Sequence, residues 1–64
     1  MEVFAYYVYR RGRIFYASGT MAGAKESIES LAKVERYEPA DNGGEIFAIV
    51  AGLREFRIEE RRLK

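Results

Sequence analysis

FAYYVYRRGRIFYAS, residues 4–18, is the stretch that decides the fold. It reads as a β-hairpin with apolar side chains on both faces and arginines at its tip. Aromatic and β-branched side chains favour strands, and Phe4, Tyr6, Tyr7, Val8, Tyr9, Ile14, Phe15 and Tyr16 supply them densely. Gly12 alone in the run reaches positive φ at little cost, as a two-residue hairpin loop requires. The turn therefore centres on Arg11 and Gly12. Arg10 then faces Arg13, Tyr9 faces Ile14, Val8 faces Phe15, Tyr7 faces Tyr16 and Tyr6 faces Ala17. Opposite residues share a face and neighbours alternate. One face is Phe4, Tyr6, Val8, Phe15 and Ala17; the other is Val3, Ala5, Tyr7, Tyr9, Ile14, Tyr16 and Ser18.

Outward from the hairpin, Met21, Ala24, Ile28, Leu31 and Val34 recur at steps of three and four, the spacing of one helical stripe. The spacing predicts a helix over Met21–Glu35, with Thr20 or Ser18 as its N-cap. Pro39 cannot continue a helix, and PADNGG is turn chemistry. A rival parse makes Val34–Glu38 a strand that pairs with the next one across this loop. Glu45–Val50 is a strand by composition. Ala51-Gly52 makes a tight turn, and LREFRIEE returns as a second hairpin arm. In that hairpin Phe47 faces Phe56, which puts Phe47, Ile49, Phe56 and Ile58 on one face and Ile46, Ala48, Val50 and Leu53 on the other. The tail RRLK extends the strand, frays or winds into a helical turn.

The expected fold is α+β: residues 1–64 form one small two-layer ββαββ domain, a four-stranded antiparallel sheet with one helix packed on one face. The helix stripe covers Phe4, Tyr6, Val8, Phe15, Phe47, Ile49, Phe56 and Ile58. The other sheet face keeps Tyr7, Tyr9, Ile14, Tyr16, Ile46, Val50 and Leu53. An antiparallel sheet with one wet face normally alternates apolar-in and polar-out, and contiguous exposed apolar surface marks a contact site.

The 64 residues contain no cysteine and no histidine. That removes disulfides, thiolate metal sites and the commonest general base, and it is compatible with a reducing, cytoplasmic setting. Eleven basic and ten acidic residues leave a net charge of +1, which provides no global field toward nucleic acid or an anionic membrane. No segment approaches the roughly 18 to 20 apolar residues that span a bilayer, and no leader-like pattern stands at the N-terminus. Self-association is the staple left to a chain this short, since 48% of it is hydrophobic. Sheet-to-sheet stacking about a two-fold axis is one closed solution.

Function is expected to rest on contact. The leading expectation is a non-enzymatic protein-binding module, an inhibitor or adaptor of the kind phages and other small mobile elements encode. Its partner-binding residues are Tyr7, Tyr9, Arg10, Arg11, Arg13, Ile14 and Tyr16, and neither a catalytic residue nor a cofactor is expected. The alternative is nucleic-acid binding: Arg10, Arg11 and Arg13 would grip phosphate beside tyrosines that stack bases. Ser18-Gly19-Thr20 could cradle an anion at a helix N-terminus. Glu38, Asp41 and Glu45 lack the spacing of a calcium loop.

Overall fold

The computed structural model describes residues 2–63. Five strands and one helix follow in the order β1 (Phe4–Arg10), β2 (Arg13–Ser18), α1 (Met21–Glu29), β3 (Arg36–Pro39), β4 (Glu45–Val50) and β5 (Leu53–Arg62). The sheet runs β2-β1-β5-β4-β3, and every neighbouring pair is antiparallel. Both predicted turns form. Arg11 and Gly12 take φ 52° and 83°, and Ala51 and Gly52 take 52° and 77°, the left-handed pair that matches strand twist.

The general α+β class stands, but the four-strand ββαββ parse does not. Val34–Glu38 is not a helical end: Arg36–Pro39 forms β3 and pairs with β4, as in the rival parse. The helix stops at Glu29 rather than Glu35. Ser27 and Ser30 donate hydroxyl hydrogen bonds to the carbonyls of Ala24 and Ser27, at 2.7 and 2.9 Å, a competition with the backbone that weakens helices. The β-branched Val34 and the aromatic Tyr37 beyond them favour the sheet. Thr20 is the N-cap and accepts from the Gly23 amide at 3.0 Å.

Two β-bulges overturn the predicted registers. In the first hairpin Tyr9 faces Ile14 as expected, but Val8 faces Tyr16 and Tyr7 faces Ala17, so Phe15 is skipped. In the second, Ile49 faces Arg54 and Ala48 faces Phe56, so Glu55 is skipped and Phe47 faces Arg57. One extra residue moves every later side chain to the other face. Tyr16, Ile46 and Ala48 therefore lie on the helix side, and Phe47 and Ile49 lie on the open side. The reason is volume. Ala48, packed with Phe56, Ile58, Val8, Ala24 and Ile28, leaves room for a helix of small footprint where Phe47 would not.

Around that core pack Tyr6, Met21, Ala32, Val34, Tyr37 and Val50. The tail extends β5 to Arg62, and the Leu63 amide donates to the Val3 carbonyl at 2.7 Å; Lys64 lies outside the described residues. Among the described residues no helix is long and apolar enough to cross a membrane.

Candidate functional site: the β2 edge and its groove

The expected docking face is largely clad by the chain itself. On the sheet face away from α1, the Arg57 guanidinium lies 4.1 Å from the Tyr9 ring centre, Arg61 lies 5.0 Å from Tyr7, and Arg54 lies 4.5 Å from Phe47. Carboxylates tie these cations together. Arg61 pairs with Glu59 at 2.8 Å, Arg57 pairs with Glu45, and Arg36 and Arg54 converge on Glu38 at 2.8 and 4.0 Å. The Tyr9 hydroxyl donates to Glu59 at 3.1 Å; burial and then this bond hold its pKa above the ordinary value. Asn42 donates to Glu45, and that bond, with the Arg57 pair, holds the carboxyl below its ordinary value. The arginine stems and planes shield apolar rings from water. Ile49 ends up buried in this face, opposite Arg36 and Arg54.

The arginine tip is likewise committed. Arg10 and Arg11 both reach Glu55, at 2.9 and 3.2 Å, and the hydrogen bond from Arg10 is the largest cause of that carboxyl's lowered pKa. Arg10 also lies 5.0 Å above the Phe56 ring. Arg13 is different. Of eight arginines in the sequence it is the one without a carboxylate partner among the described residues. The helix N-terminus is self-satisfied: Thr20 caps Gly23, and Ser18 Oγ accepts from the Thr20 amide at 3.2 Å.

What remains open is β2. It pairs with β1 alone, so one backbone edge has no strand beside it. Ile14, Phe15 and Tyr16 are 52%, 42% and 43% exposed. The opposite edge of the sheet, β3, has four residues, ends in Pro39 and carries the Arg36–Glu38 pair. Shortness, proline and charge are the usual ways to blunt an edge. β2 has apolar side chains instead, with a bulge that aims two of them.

Phe15 and Tyr16 both line a groove of about 400 Å³ whose other wall is α1, through Gly23, Glu26, Ser27, Ser30 and Leu31. Phe15 also packs against Phe56, ring centres 5.8 Å apart. A Cβ on Gly23 would come within 2.3 Å of Ser18 Oγ, so glycine lets the helix start close beside the end of β2. Leu31, just past the shortened helix, is 59% exposed at the groove's rim.

The structure thus divides the seven predicted partner-binding residues. Tyr7, Tyr9 and Ile14 sit on the open face, the two tyrosines beneath arginines. Arg10 and Arg11 sit on Glu55. Ile14, Arg13 and Tyr16 belong to the exposed edge strand. Phe15, Leu31 and Glu26 join the site without having been predicted: Phe15 and Leu31 read as core because a bulge and an early helix end leave no plain mark in apolar spacing. The paired serines Ser27 and Ser30 are the one signal that could have warned of the latter. Among the described residues no three acidic side chains converge to hold a metal ion.

The fold defines a small α+β protein with a five-stranded antiparallel sheet, one free apolar edge and a strand–helix groove. No protein-family model matches the chain, and no curated protein or solved structure is significantly similar to it.

Proposed function

We propose that this chain is a non-enzymatic protein-binding module, an inhibitor or adaptor, that recognises an extended segment by adding it as a strand along β2. The observation that carries this reading is the contrast between the two sheet edges: β3 is short and charged, whereas β2 exposes Ile14, Phe15 and Tyr16 beside an unpaired backbone edge. Strand addition draws affinity from main-chain hydrogen bonds and specificity from pockets for alternate side chains. The groove between β2 and α1 offers such a pocket, and Ile14 offers a contact on the opposite side. The nucleic-acid alternative draws less support. Arg10 and Arg11 are engaged by Glu55, and the faces of Tyr7 and Tyr9 lie beneath guanidinium groups rather than open to bases.

A displayed library of random ten-residue segments, panned against the wild-type chain and against the double variant I14K/Y16K, tests the reading. Enrichment on the wild type of segments with alternating apolar residues, lost on the variant, supports it. No enrichment, or equal enrichment on both, overturns it.

A further inference from the structure

The occupant that the β2 edge fits best is a second copy of itself. The bulge is the reason. Ile14 and Ala17 oppose Tyr9 and Tyr7, which puts both on the open face. Phe15 and Tyr16 line the groove on the helix side. Ser18 opposes Tyr6, a residue packed against the core on that same side. Arg13 opposes Arg10, whose guanidinium covers Phe56, so it too belongs to the helix side. From Arg13 to Ser18 the faces therefore run helix, open, helix, helix, open, helix. That order is the same in both directions.

In an antiparallel pair, residues directly opposite must share a face. A regular alternating strand of even length, paired with its own copy about its midpoint, would set unlike faces against each other. β2 does not. About a two-fold axis between Phe15 and Tyr16, Arg13 meets the copy's Ser18, Ile14 meets Ala17, and Phe15 meets Tyr16, with each pair on one face. Apolar residues thus meet apolar residues on both sides of the new junction, and the two strand–helix grooves open onto each other.

Charge completes the match. Arg13 is the arginine without a carboxylate among the described residues, and Glu26 is the one of nine glutamates whose carboxylate has no partner among them. Both lie on the helix side of β2, with Glu26 in the groove beside Phe15 and Tyr16. Arg13 is at the hairpin end; Glu26 is on the groove wall of the helix that starts where β2 finishes. The two-fold operation carries each Arg13 toward the helix start of the other copy, and so toward its Glu26. Elsewhere on the molecule the arginines are neutralised internally. These two charges are left over in the positions a self-complementary junction requires.

We infer that the chain forms a two-fold homodimer by antiparallel pairing of β2 with β2, in the register Arg13 to Ser18, with Arg13 of each copy facing Glu26 of the other. This inference rests on the strand-addition reading and names its occupant. Analytical ultracentrifugation of wild type, R13E, E26R and an equimolar mixture of the two variants tests it. Each variant alone sets like charges together twice per dimer, and its dissociation constant is expected to rise about ten-fold or more. In the mixture one R13E chain and one E26R chain restore both opposite-charge contacts, so dimer returns to near the wild-type level. A wild type that stays monomeric to millimolar concentration overturns self-pairing, and segment enrichment on the β2 edge in the panning experiment then stands by itself. A dimer that forms equally well with both variants also overturns it, because the junction would lie elsewhere.

Discussion

Ile28 and Leu31 occupy the same apolar stripe in the sequence, and the structure gives them opposite energies. Ile28 is fully buried among Val8, Ala24, Ala48, Phe56 and Ile58. Leu31 lies beyond the helix and is mostly exposed. Replacing Ile28 by alanine removes three buried carbons, about 0.8 kcal/mol each in transfer terms, and leaves a cavity that a close-packed core only partly closes. The loss is expected to be about 3–4 kcal/mol. Domains retain roughly 0.05–0.15 kcal/mol per residue, which bounds this chain at about 3–10 kcal/mol in total. I28A therefore sits near the edge of unfolding. A nine-residue helix cannot hold itself in water, so it depends on that anchor. L31A is expected to cost about 0.5 kcal/mol or less. Urea unfolding followed by circular dichroism measures both, with I28V, expected to lose about 0.5–1.5 kcal/mol, as a variant that keeps a folded baseline. Equal losses for I28A and L31A would refute the assignment of the core to the nine-residue helix.

Two further outcomes follow from the backbone and the ion pairs. Ala51 holds a left-handed φ of 52° that costs a non-glycine residue about 1–2 kcal/mol, partly offset by glycine's greater entropy when unfolded, so A51G is expected to raise stability by about 0.5–1 kcal/mol in thermal unfolding; a lower midpoint would count against the turn geometry. Glu45 and Glu55 titrate below their ordinary values in the fold. Their contribution is therefore present above the unfolded-state value of about 4.3 and is lost as pH falls through the lower folded-state values. Urea midpoints from neutral to acid pH are expected to fall over that window, less steeply for E55Q, and an identical acid profile for wild type and E55Q would refute the Glu55 assignment.

Glu45, Glu59 and Glu38 hold Arg57, Arg61, Arg36 and Arg54 in place. One helix cannot shield both sides of an apolar sheet, and this chain meets the shortage with a layer of arginine planes over Tyr7, Tyr9 and Phe47. Individual exposed pairs contribute little. Their number and their shared carboxylates make the layer continuous, and the contact surface is displaced to the edge.

Local chemistry alone determined much of this. Positive-φ turns at Arg11-Gly12 and Ala51-Gly52, the cap at Thr20, the start of the helix at Met21 and the strand character of residues 4–10, 13–18, 45–50 and 53–60 are written in residues within a few positions of one another. The surplus of apolar strand surface was legible too. The tertiary structure alone decided which side of the sheet each residue faces. The two bulges at Phe15 and Glu55 arise because Phe56, Ala48 and a short helix must fill one volume without voids, and a skipped residue leaves no trace in alternation. The same packing chose between the helix and the fifth strand for Val34–Glu38. It left Arg13 and Glu26 without carboxylate or cation partners among the described residues, since pairing across 12 intervening positions depends on how the elements are stacked and not on their spacing.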